Sequence, residues 1–198
     1  MCGITRAQDA ELALGLGVDA LGLNFWVGSK RRCEVDVARV IVRLAQGRAR
    51  VVAVVVGLGL VEIAELRAET GIEWVQLHGD EDAPFVRRCL PNAYAAVRLS
   101  GEAGLRRARE VPGIEVLLDA HVEGMKGGTG EVADWALAAR IAKTRPLWLA
   151  GGLEPENVRR AIEIVKPMGV DVASGIELSP GIKDVDKMRA FVEAVDTT

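Results

Sequence analysis

Short apolar runs alternate with amphipathic stretches from one end of the chain to the other, and this alternation constrains the fold more than any other feature. Residues 1–4, 20–25, 51–56, 74–78, 93–99, 114–119, 147–151 and 170–174 read as strands. Many are apolar on both faces, as a parallel sheet covered by helices requires. Between them, Val37, Val40, Ile41 and Leu44 fall at i, i+3, i+4 and i+7, one face of a 3.6-residue period. Val158, Ala161, Ile162 and Val165 repeat that spacing, as do Met188, Phe191, Val192 and Val195. Further helices are expected over 7–16, 60–69, Ala83–Cys89, 102–110 and 133–143, and Pro155 fits the first turn of its helix. The tally is eight strand–helix units without a linker. It predicts an α/β fold, a (β/α)8 TIM barrel with a short first strand, forming one domain over residues 1–198. A doubly wound open sheet is the alternative.

In such a barrel, chemistry belongs at the C-terminal ends of the strands. Those positions read Cys2-Gly3, Asn24-Phe25, Val56-Gly57, Gln76 to Asp80, Arg98, Asp119, Gly151-Gly152 and Ser174-Gly175. The list is polar and glycine-rich against apolar strands. Asp119 ends a buried run and opens into Gly124-Met125-Lys126-Gly127-Gly128-Thr129-Gly130. Glycine has no Cβ to block the approach, so such a loop can bring N–H groups close to an anion. Gly151-Gly152 precedes a helix and Ser174-Gly175 ends the last strand. Loops at these two places commonly hold a phosphate on backbone N–H groups and a short helix. Gly128 could add donors from the neighbouring loop. The bland reading of each glycine pair is ordinary turn chemistry, and of Asp119 a cap on the following turn.

Cys2 and Asp119 fall on opposite sides of the rim. A thiol and a carboxyl facing across a pocket form a base/acid pair if their pKa values are held apart. The thiol then needs thiolate character, which nearby N–H donors could promote. A small buried core cysteine is the competing reading of Cys2. His78 reads as a substrate hydrogen-bonding or turn residue. With only two histidines in the chain, no metal motif forms around it. Arg31, in Gly28-Ser29-Lys30-Arg31-Arg32, could hold a carboxylate bidentately or be part of a solvated basic loop.

Composition narrows the partners. Apolar residues make up 49% and charged residues 27%, with a net charge of −3, which suits a packed domain rather than a disordered chain. No basic patch, one Tyr and three Phe argue against nucleic acid. No apolar run reaches the ~20 residues of a membrane span, and the N-terminus lacks the features of a signal peptide. Cys2, Cys33 and Cys89 form no disulfide or zinc pattern, so a cytoplasmic setting is expected; Cys33 and Cys89 read as incidental.

The motifs Cys2-Gly3-Ile4-Thr5, Gln76-Leu77-His78-Gly79-Asp80-Glu81, Leu118-Asp119-Ala120, Gly127-Gly128-Thr129-Gly130, Leu149-Ala150-Gly151-Gly152-Leu153 and Asp171-Val172-Ala173-Ser174-Gly175-Ile176-Glu177 occur in this order nearly end to end. Together they resemble the phosphoribosylanthranilate isomerase family of tryptophan biosynthesis. The resemblance implies an Amadori rearrangement of N-(5-phosphoribosyl)anthranilate. Asp119 would protonate the ribose ring oxygen and Cys2 would take the C2 proton. Arg31 would pair with the anthranilate carboxylate. Gly128, Gly151, Gly152, Ser174 and Gly175 would cradle the phosphate, and Gln76, His78 and Asp171 match pocket positions. The family needs neither metal nor redox cofactor. The partner implied is a small phosphosugar, with no nucleic acid and no membrane, on a monomer or homodimer.

Three departures stand out. Several strand residues with a Lys usually precede the Cys, whereas Met1 alone does here, so the reading expects a start further upstream, a stunted strand and a loosely held Cys2. The second loop reads Ser29-Lys30-Arg31-Arg32 where Ser-Pro-Arg-Tyr is usual. Glu131 and Ala133 stand where Lys and Phe are common. Met-Cys-Gly-Ile also resembles the start of glutamine amidotransferases, whose antiparallel architecture the alternation contradicts. Other phosphosugar barrel isomerases or epimerases, among them the histidine-pathway isomerase with Asp at the position of Cys2, remain alternatives. A non-catalytic phosphosugar-binding barrel is another.

Overall fold

The computed structural model describes residues 1–120 and 129–197. Strands β1 (Ala20–Asn24), β2 (Arg50–Val55), β3 (Trp74–Leu77), β4 (Ala93–Arg98), β5 (Val116–Asp119), β6 (Leu147–Ala150) and β7 (Gly169–Val170) form one parallel sheet, in chain order. Helices α1 (Ala7–Gly15), α2 (Val35–Ala45), α3 (Leu60–Thr70), α4 (Ala83–Cys89), α5 (Gly101–Glu110), α6 (Thr129–Ala142), α7 (Val158–Val165) and α8 (Val185–Asp196) lie before, between and after the strands. A small hairpin, β8 (Glu177–Ser179) and β9 (Ile182–Lys183), precedes α8.

The ring closes through the first four residues. Gly22 N donates to Met1 O (2.8 Å) and Ile4 N donates to Gly22 O (3.1 Å), joining this stretch to β1. On its other edge Cys2 N donates to Val172 O (2.8 Å), just beyond β7. The eighth wall position is therefore a single bridge, Cys2 opposite Gly22, and the sheet is a (β/α)8 barrel rather than an open one. The stunted first strand is as expected. The loosely held Cys2 is not, because its N–H and its carbonyl are both bonded.

Strand parity separates two cores. Leu21, Leu23, Val75, Leu77, Val116, Leu118, Leu147 and Leu149 are completely buried between the barrel wall and the helices. Each such side chain contributes roughly 1.5–3 kcal/mol on burial. The alternate residues Val52, Tyr94, Ala96 and Leu117 point inward and pack with Trp74 and Trp148. Because successive side chains alternate faces, the inward set continues to Gln76 and His78, Arg98 and Asp119 at the strand ends.

Local chemistry sets the helix ends. The Asp82 carboxylate accepts from Phe85 N (2.8 Å), with Pro84 in the first turn of α4. The Asp184 carboxylate accepts from Asp186 N (2.9 Å) and Lys187 N (3.1 Å). Gly71 ends α3 in the left-handed conformation, φ 77°. Several boundaries differ from expectation: α6 starts at Thr129 rather than at residue 133, and β5 starts at Val116 rather than at 114, since Ile114 is exposed. Pro155 sits in a turn ahead of α7, which starts at Val158. The last strand stops at Val170 rather than reaching Ser174, because the ladder to β6 ends at Asp171 N→Leu149 O (2.8 Å) and residues Ser174–Ile176 turn into a 3-10 helix.

Candidate active site

The rim, at the C-terminal strand ends, carries a cleft of about 550 Å³ lined by His78, Asp80, Arg98, Arg107 and Asp119, among others. Asp119 is the last residue of β5, paired in register with Arg98 on one side and Ala150 on the other. A second cavity, about 510 Å³, runs up the barrel from the opposite end. Gly17, Asp19, Arg50 and Asp196 line its mouth, and Cys2, Gln76 and Asp171 its inner part. Across this end Arg50 Nη1 donates to Glu115 Oε1 (2.8 Å), Trp148 Nε1 donates to Glu115 Oε2 (2.5 Å), and the guanidinium lies 3.9 Å from the centre of the Trp74 ring.

Cys2 lies over Gly22. A Cβ at Gly22 would stand 2.8 Å from the Cys2 sulfur, so the absence of a side chain there makes room for the thiol. Cys2 is half-buried and lines the cavity. Burial pushes the thiol up to about 12, and the Asp171 carboxylate pushes in the same direction; the Met1 ammonium and Lys183 oppose them. The expected thiolate-promoting surroundings are thus outweighed by burial. Asp171 is itself raised, first by burial, and the Asp119 charge adds to this, against the Met1 ammonium, Lys183 and His78. The Met1 ammonium donates to Ala20 O (2.8 Å) and lies 4.0 Å from Asp171 Oδ1. Asp171 lines the same cavity as Cys2, whereas His78 and Asp119 line the rim cleft.

A buried polar chain orients His78. Tyr94 OH donates to Gln76 Oε1 (3.2 Å), and the Gln76 amide nitrogen lies 2.7 Å from His78 Nδ1. Gln76 thus links the Tyr94 hydroxyl to the His78 ring.

Gly151 and Gly152 follow β6 with φ of 97° and 66°, values that favour glycine. Ser174 and Gly175 open the 3-10 helix on the neighbouring loop. The two loops touch: a Cβ at Gly175 would fall within 3.0 Å of the Leu153 carbonyl oxygen and 3.0 Å from Glu154 Cα and Cβ. Gly128, like His121, lies outside the described residues.

Arg31 is engaged. Its Nε donates to both Glu177 oxygens (2.9 and 3.0 Å) and its Nη2 to Oε2 (2.7 Å). The guanidinium and Lys183 hold the Glu177 carboxyl below its ordinary value although burial alone would raise it. Arg32 is exposed. Glu177, Lys183 and Tyr94 escaped the sequence reading. A charged residue in a loop reads as solvated, and a lone Tyr in an apolar strand reads as core. Among the described residues no group of three His, Cys, Asp or Glu could hold a metal ion, and no helix is long and apolar enough to cross a membrane.

Comparison with known proteins agrees with this geometry. The family model described as N-(5'-phosphoribosyl)anthranilate (PRA) isomerase matches residues 1–194. An N-(5'-phosphoribosyl)anthranilate isomerase from Pseudomonas aeruginosa is 43% identical over 198 residues, 98% of this chain and 93% of the relative. One from Myxococcus xanthus is 41% identical over 199 residues, with the same coverage. The crystal structure of phosphoribosyl anthranilate isomerase from Thermotoga maritima superposes with a TM-score of 0.89 at 36% identity, covering 100% of this chain and 98% of that one. A structure of the isomerase in complex with reduced 1-(o-carboxyphenylamino)-1-deoxyribulose 5-phosphate superposes with a TM-score of 0.86 at 33% identity, covering 100% and 97%.

Proposed function

Since the chain belongs to the N-(5'-phosphoribosyl)anthranilate isomerase family, an isomerase of tryptophan biosynthesis, we propose that Cys2 and Asp119 divide its acid–base chemistry. Asp119 gives a proton to the ribose ring oxygen. The C1–O bond breaks, and C1 becomes the carbon of an iminium on the anthranilate nitrogen. Cys2 then takes the C2 proton, and the enolamine tautomerises to the C2 ketone. One proton leaves Asp119 and one arrives at Cys2, so a single proton transfer from thiol to carboxylate restores the pair.

The observation that carries this reading is position: Asp119 ends β5 in the rim cleft beside His78, and Cys2, bridged to Gly22 of β1, lines the barrel cavity with Gln76 and Asp171. A thiol near 12 is ionised about once in 10⁵ at pH 7. The iminium favours the reaction twice. It makes the C2 proton more acidic, and it sets a positive charge beside the thiol that favours its anion. Arg31, held by Glu177, would meet the anthranilate carboxylate. Gly128, Gly151, Gly152, Ser174 and Gly175 would hold the phosphate, as loops at these barrel positions commonly do. Gln76, with His78 fixed by it, and Asp171 would contact the sugar. The assembly proposed is a monomer or a homodimer, the latter because one relative from Thermotoga maritima is described as dimeric.

The test is turnover of N-(5'-phosphoribosyl)anthranilate, followed by its fluorescence, in purified Cys2→Ser and Asp119→Asn. Each is expected to lose about 10²–10⁴-fold in kcat, the usual range for one general acid or base. Wild-type rates in either variant would remove its assigned role.

A further inference from the structure

Lys183 is buried to the tip. Its side chain is 0% exposed, and it has no place in the chemistry above. Its Nζ donates to Cys2 O (2.7 Å), Ala173 O (3.0 Å) and Glu177 Oε1 (3.1 Å). Two of these oxygens are informative. Cys2 carries the proposed base, and Ala173 immediately precedes the loop of Ser174 and Gly175. Cys2 has one ladder bond to the β7 side, from its N–H to Val172 O, so a second tie to that segment matters here more than in a full strand.

Burying an ammonium costs several kcal/mol, and an apolar residue in its place is often neutral or stabilising. Packing alone therefore does not call for a lysine. Burial pushes Lys183 down while Glu177 pushes it up. Glu177 is shared with Arg31, and Gly181 N also donates to its carboxylate (3.2 Å). One carboxylate thus balances two cations beside Cys2. The charged groups that act on the thiol are Asp171, the Met1 ammonium, Lys183 and Arg31.

We propose that Lys183 is the positioning residue for Cys2: it fixes the base to the start of the Ser174–Gly175 loop and, with Glu177 as its counterweight, sets how much positive charge the thiol faces. The inference rests on Cys2 being the base, and it reaches beyond that role to a residue and a regulating pair.

The experiment compares Lys183→Met and Glu177→Gln with the unaltered protein. Two readouts are taken: kcat against KM, and the rate at which iodoacetamide alkylates Cys2 at about pH 8, followed by mass spectrometry of the Cys2 peptide. Thiolate is the reacting form. Lys183→Met is expected to slow alkylation at least threefold and to lower kcat at least tenfold with KM within about threefold. Mere loosening would expose the thiol and speed alkylation, the opposite result, which overturns the proposal. Glu177→Gln leaves both cations uncompensated and is expected to speed alkylation. If Lys183→Met does not fold, Glu177→Gln decides alone, and an unchanged or slower rate there refutes the idea. Full turnover in Cys2→Ser would instead remove the base while leaving the alkylation results intact, so the two failures are distinguishable.

Discussion

Gly175→Ala tests whether the loops after β6 and β7 form one phosphate cradle. The new Cβ would fall within 3.0 Å of the Leu153 carbonyl oxygen and at 3.0 Å from Glu154 Cα and Cβ, where an ordinary contact is 3.4 Å or more. The Leu153 oxygen and Glu154 Cα are backbone, so no flexible side chain can simply swing away. The loops must part by roughly 0.5–1.5 Å, enough to break a hydrogen bond whose useful range spans only about 0.5 Å. Overpacking of this kind costs about 1–3 kcal/mol, or roughly 2–12 °C in Tm for a chain of this size. Each N–H lost from a phosphate oxygen is worth about 1.5–3 kcal/mol. One such loss raises KM about 10–150-fold. The kcat should change less, because Cys2 is held to Gly22 and Val172 rather than to the residues that part. Steady-state fluorescence kinetics and the inhibition constant of inorganic phosphate measure the effect. Gly15→Ala, at the end of α1 with nothing within 4 Å of the added methyl, serves as the control. A lowered Tm with KM and phosphate inhibition both within twofold of the parent would refute the shared cradle.

Three further outcomes follow from the same geometry. Gly22→Ala places a methyl 2.8 Å from the Cys2 sulfur, and displacing a reacting group by about 1 Å is expected to cost on the order of 10²-fold in kcat with the fold retained; an unchanged kcat would show that the thiol position is not critical. Glu177→Leu leaves the buried Lys183 and the partly exposed Arg31 without their carboxylate, and urea unfolding should show a loss of about 3–5 kcal/mol, against less than about 1 kcal/mol if the cluster is energetically idle. The Cys2 thiol, raised from 9.0 to about 12 in the folded chain, keeps its proton where the unfolded chain has lost it. Its contribution to stability is full below pH 9 and is lost as pH rises toward 12. Cys2→Ala should therefore flatten the alkaline fall in stability measured by urea titration, and an unchanged slope would contradict the raised value.

Strands and helices were legible because their apolar periods differ. The run at 114–118 read as a strand and Val158, Ala161, Ile162 and Val165 as one face of a helix, although the strand itself begins only at Val116. Asp119 and Gly151 were legible as candidates because strand ends in a barrel gather at one rim, whereas Ser174 lies beyond the end of β7. Gln76 and His78 came with a motif, yet their joint role needed Tyr94, which approaches from β4. The clamp of Glu177 on Arg31 joins residues 146 positions apart. Nothing in either loop announces it, because a glutamate or lysine near glycine and proline reads as solvated surface.

The sequence by itself determined the order of the elements and the family, since both rest on short-range patterns or on motifs in fixed order. Only the tertiary structure decided how the barrel is closed, which charges surround the thiol and which of them are neutralised. Those depend on segments meeting from opposite ends of the chain, as Cys2 meets Val172 and Lys183. The energy of a buried charge is set by such neighbours and by the loss of water, neither of which local sequence encodes.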